Sequence, residues 1–159
     1  MMLFHFPAQV NERAARLVAA VVAGSVLAGG LVGQTWVLPV LASGFILRAG
    51  WGPRFSPLAR LAVLVARRLW ETRLVPGPPK RFAQGVGALF TLAATLLALA
   101  GHADAAWAVA GMVAVFATLE ATLAICMGCW VYARLQAAGL FAADACVECA
   151  GGAAETPSA

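Results

Sequence analysis

Between Phe82 and Ala100 the chain carries no charged residue, and the same holds from Ala105 to Leu119 and from Trp36 to Leu47. Ala14 to Leu31 carries one, Arg16. Only 11% of the 159 residues are charged and 62% are hydrophobic, with a mean hydropathy of +0.86. A soluble domain holds about a quarter charged residues, and a chain this short cannot hide its excess apolar surface in a core. The solvent is therefore lipid. A span needs about 20 residues. The first and third stretches reach that length, and the fourth does so because apolar character resumes after Glu120 as far as Tyr132. The second does so only if it runs on to Trp51 past Arg48, whose side chain can snorkel, with Trp36 and Trp51 at the two headgroup levels. The first stretch has basic residues before it, as a signal peptide does, but membrane pattern continues directly behind it.

The 11 Lys and Arg residues are unevenly spread. Arg13 and Arg16 begin the first span, Arg134 ends the fourth, and Arg48, Arg54, Arg60, Arg67, Arg68, Arg73, Lys80 and Arg81 lie in or beside the central connection. The connections GLVGQT and GHADAA have none. Positive residues accumulate on the cytoplasmic side, and four spans put all of them there, together with both termini. The expected fold class is thus all-α: a polytopic bundle over 1–139 with spans about 14–33, 36–51, 82–101 and 105–133, followed by a short cytoplasmic tail over 140–159. Within the central connection, Ser56 and Pro57 read as an N-cap and first helical position. Leu58, Leu61, Ala62, Val65 and Leu69 follow helical spacing with arginines elsewhere, which predicts an interfacial amphipathic helix over about 56–72 on an anionic leaflet.

Small residues recur every fourth position: Ala20, Gly24 and Ala28; Ala83, Gly87, Thr91 and Thr95; Ala106, Ala110, Ala114, Thr118 and Thr122. Such stripes let helices approach closely in lipid. Cys126 is the next member of the last stripe, so close packing alone is one reading of it.

The segments FPAQVNE, GFILRAGWGPRFSP, PGPPKRFAQG and LEATLAICMGC occur in that order. On them the chain resembles the small bacterial membrane proteins grouped as domain of unknown function 4395, over roughly Phe6 to Leu135. The resemblance implies a multi-span protein of the bacterial inner membrane with a C-x-G-C thiol motif, and a loose association with thioredoxin-like partners. It implies no activity.

Cys126 and Cys129 stand three apart and so share one face of a continuous span-four helix, near its cytoplasmic end. Cys146 and Cys149 follow in the tail. The cytoplasm keeps thiols reduced, which argues against a permanent structural disulfide. One reading is a thiol–disulfide or sulfur relay, with a thioredoxin-like or sulfur-transfer partner and with Cys126, Cys129, Cys146 and Cys149 as the reacting groups. In a continuous helix the first pair approaches a C-terminus, where the dipole opposes a thiolate; Asp144 ahead of Cys146 favours the tail pair as nucleophile. A second reading takes the C-x2-C-x16-C-x2-C spacing as four ligands for zinc, Cu(I) or another soft metal. Packing without chemistry is the third.

Glu120 is an ionisable group inside a span and calls for a partner. Arg48 and Arg81 are the expected ones. On a continuous helix Cys126 lies about 240° around from Glu120, so the two are expected to face apart. Lys80 and Arg81 open a helix at its positive end, an arrangement that a bound anion or lipid phosphate would relieve. No nucleotide loop, hydrolase triad or nucleic-acid module is present.

Overall fold

The computed structural model describes residues 8–140. Among them are six helices: α1 (Glu12–Val32), α2 (Val37–Trp51), α3 (Pro57–Leu69), α4 (Gly77–Leu99), α5 (Ala103–Leu123) and α6 (Met127–Ala137). Two short strands, β1 (Gln9–Asn11) and β2 (Leu74–Pro76), pair antiparallel with Val10 opposite Val75. The strands were not foreseen. They tie the residues ahead of α1 to the segment ahead of α4, and Gly77 N–H donates to Ala8 C=O at 2.7 Å.

Three helices, α1, α4 and α5, are long and apolar enough to cross a membrane. α2 is apolar but for Ser43 and Arg48 and has only 15 residues, about 22 Å at 1.5 Å per residue against a hydrocarbon layer of about 30 Å. α1 packs on α5, α5 on α4, and α4 on α2, while α6 lies against α4. The contact surfaces are built from small residues: Ala106 and Ala110 of α5 and Ala94 and Thr91 of α4 are fully enclosed. Thr91 and Thr95 each return their hydroxyl to the carbonyl four residues back, at 2.7 and 2.8 Å, so no polar atom of theirs is stranded. The first small-residue stripe behaves otherwise. Ala20, Gly24 and Ala28 are exposed, and α1 turns Ala19, Val22, Ala23 and Val26 inward instead.

The cap at α3 is as expected: Ser56 accepts from Ala59 N–H behind Pro57. Its faces are not. Ala59, Ala62 and Ala66 press on α1, because alanines allow the closest approach, whereas Leu61, Leu64 and Leu69 are exposed. α5 is preceded by His102 as N-cap, and Asp104 lies in its first turn, where the dipole favours a carboxylate.

The largest departure is in span four. The expected single helix over 105–133 is broken. α5 ends at Leu123, Ala124 takes a left-handed conformation (φ 59°), and α6 starts afresh at Met127. A left-handed alanine costs roughly 1–2 kcal/mol. Arg16 offsets it: its Nε donates to Ala121 C=O at 3.0 Å and its Nη2 to Ala121 and Thr122 C=O at 2.9 Å. The guanidinium thus occupies the negative end of α5 and takes up carbonyls that a continuing helix would have used. α6 ends at Ala137, and Gly139 just beyond its C-cap is left-handed (φ 78°).

Candidate functional site

The break in span four reverses the electrostatic setting of the first thiol pair. Cys126 is the N-cap of α6, and its Sγ accepts from the backbone N–H of Cys129 at 3.2 Å. The two cysteines are joined as a disulfide, with Cα atoms 5.2 Å apart. The pair was expected near a helix C-terminus, where the dipole opposes an anionic sulfur; it stands at an N-terminus, where free N–H groups and the dipole support one. The N-cap position also sets the chemistry of the two sulfurs apart. Cys126 precedes the helix, while Cys129 sits within its first turn.

Gly128 explains the small residue inside the motif. A Cβ there would lie 2.5 Å from Ala83 Cβ and 2.6 Å from Ala83 Cα, so only glycine lets the first turn of α6 rest on α4. Phe82 and Tyr132 pack beside this contact, ring centroids 5.7 Å apart.

Cys126 borders a cavity of about 320 Å³ between α1, α4, α5 and α6. Its walls are apolar, with Phe82, Phe90, Phe116 and Met127 among them, and Glu120 also borders it. The expectation that Glu120 and Cys126 face apart fails for a simple reason: angular counting along one helix does not hold across a break.

Glu120 is paired, but not with the cations expected to face it. Its Oε1 accepts from Lys80 Nζ, with both side chains mostly buried. Arg48 stands within electrostatic reach of the same carboxylate but donates from Nε to Gln84 Oε1 at 2.8 Å and lies over the Phe45 ring. Arg81 Nε donates to Ala49 C=O at 2.9 Å. The anion expected at Lys80 is thus supplied by the protein's own carboxylate. The choice among three neighbouring cations depends on how far α4 rotates about its axis, which spacing alone does not fix.

Cys146 and Cys149 lie outside the described residues. Among the described residues no group of three or more His, Cys, Asp or Glu side chains gathers as metal ligands, so a four-thiolate site would require both tail cysteines.

No curated protein and no solved structure matches this chain. The ordered elements that make up the bundle, from β1 to the last turn of α6, coincide with a family match covering residues 10–137, and the chain belongs to the family described as Domain of unknown function (DUF4395).

Proposed function

We propose that the protein is a membrane-embedded thiol–disulfide exchanger acting through Cys126 and Cys129. The observation that carries this reading is the position of Cys126 as N-cap of α6, its sulfur held by the Cys129 N–H and bonded to Cys129 Sγ. In the reduced state Cys126 attacks a partner disulfide as the thiolate. A mixed disulfide forms and one partner thiolate leaves. Cys129, in the first turn of the same helix, then attacks Cys126 Sγ and releases the second partner thiolate. Two electrons pass to the partner, and the two cysteine protons are taken up by its thiolates. The reverse sequence reduces the pair.

The partner is a thioredoxin-like or sulfur-transfer protein, and Cys146 and Cys149 are the second pair of a relay. The bundle crosses a bacterial inner membrane four times, α2 being the short span, with both termini cytoplasmic. α3 rests in the headgroup layer, with Leu61, Val65 and Leu69 toward the acyl chains and Arg60 and Arg67 toward phosphates. The exposure of both sets of side chains supports that placement.

The test is kinetic trapping. Cys129→Ser in membranes should accumulate a reductant-sensitive adduct of one thioredoxin-like or sulfur-transfer protein at Cys126, identifiable by mass spectrometry. Cys126→Ser should not. Equal adducts from both variants, or none from either, would contradict the assignment of Cys126 as the exchanging sulfur.

A further inference from the structure

Two buried donors near the start of α1 border one small cavity, and among the described residues neither has an acceptor. They are Arg48 Nη2 and Asn11 Nδ2. Arg48 is only 5% exposed. Its Nε is committed to Gln84 and its plane to the Phe45 ring, which leaves Nη2. The amide of Asn11 is oriented by its capping role: Oδ1 accepts from Arg13 and Ala14 N–H at 2.9 and 3.3 Å, so Nδ2 is the end turned away from the helix. The cavity holds about 60 Å³ and is also bordered by Lys80 and Gln84.

Among the described residues no carboxylate borders this cavity. Glu120, which is not among the lining residues, is held by Lys80, and Glu12 is paired with Arg73 at 3.0 Å. Arg48, Lys80 and Arg81 against Glu120 alone leave the cluster net positive. A buried guanidinium with an unmet N–H is costly unless an acceptor, preferably anionic, reaches it. A single water needs about 10–15 Å³, so the space admits something larger.

We propose that this cavity binds an oxyanion of phosphate or sulfate type, with Arg48 Nη2 and Asn11 Nδ2 as donors and Lys80 as supporting charge. The group comes either from a free ion or from a lipid headgroup, since the cavity lies where α1 and α4 begin and α2 ends. This site is separate from the thiol pair and does not depend on its chemistry.

The test uses full-length protein, delipidated in dodecyl maltoside, whose headgroup carries no anionic oxygen. Thermal unfolding is followed against sodium sulfate, sodium phosphate or added phosphatidylglycerol, with sodium chloride at matched ionic strength as reference. Asn11→Asp is the informative variant. Aspartate caps a helix as well as asparagine does, but it replaces the donor by a carboxylate oxygen and supplies the missing negative charge. The wild type should show a saturable rise in Tm. A response to the inorganic ions identifies a free-ion site, and a response to phosphatidylglycerol alone identifies a headgroup site. Asn11→Asp should unfold at a higher temperature than wild type without additive, and its half-saturating concentration should rise about tenfold or more. A wild type indifferent to all three additives, or equal responses in the two proteins, would overturn the proposal and leave the cavity to water.

Discussion

The guanidinium of Arg16 holds the carbonyl of Ala121, 105 residues further along the chain, from both Nε and Nη2. That contact fixes where α5 stops, and hence where Cys126 can begin a new helix. Arg16→Ala should cost about 1.5–3 kcal/mol, the range for hydrogen bonds to a charged group. Loss of the cap should also let Cys126 wander from its N-cap position. Unfolding in mixed micelles gives the first quantity and the alkylation rate of reduced Cys126 the second. A variant whose stability and alkylation rate both match wild type would show that the break in span four stands without Arg16.

Lys80 and Glu120 supply the second prediction. Glu120→Gln strands a mostly buried ammonium and should destabilise the bundle by about 3–5 kcal/mol. Lys80→Gln combined with Glu120→Gln should recover a large part of that loss, because neither charge is then left alone. The double-mutant cycle is the measurement, and strictly additive losses would reject the pairing.

Much of the fold was legible because lipid leaves few choices. Long apolar runs with few charges marked α1, α4 and α5, and the Ser-Pro pair marked the start of α3. The resemblance carried by LEATLAICMGC pointed to the family in which the chain is found. The break after Leu123 was not legible. No glycine or proline interrupts the chain from Glu120 to Met127, and Arg16, whose contact helps end α5, lies on another helix. Two inferences resting on a continuous helix there were lost with it: the dipole setting of the thiols, and the angle between Cys126 and Glu120. The partner of Glu120 was misread for a related reason, since three cations cluster at the same level and only tertiary packing chooses among them.

Gly128 gives a steric prediction. Gly128→Ala should cost about 1–3 kcal/mol through overpacking against Ala83, and Ala83→Gly should relieve part of it by vacating the same space. Gly24→Ala is the control. Nothing lies within 4 Å of a Cβ at that position, so the substitution should be neutral or stabilising by up to about 1 kcal/mol in a helix interior. Equal effects at positions 24 and 128 would contradict the close contact of α6 with α4.

The most direct test of the thiol-exchange account is an equilibrium redox titration of Cys126 and Cys129 in native membranes, with Cys146→Ser and Cys149→Ser removing the tail thiols. Alkylation by a mass tag reports how many thiols are free at each ratio of reduced to oxidised dithiothreitol. The account predicts that both tags appear together, as one reversible two-electron transition in which the ratio of reduced to oxidised protein changes tenfold for each tenfold change in the dithiothreitol ratio, about 30 mV of ambient potential. Two thiols that titrate independently, or that stay fully alkylated across the whole range, would contradict it.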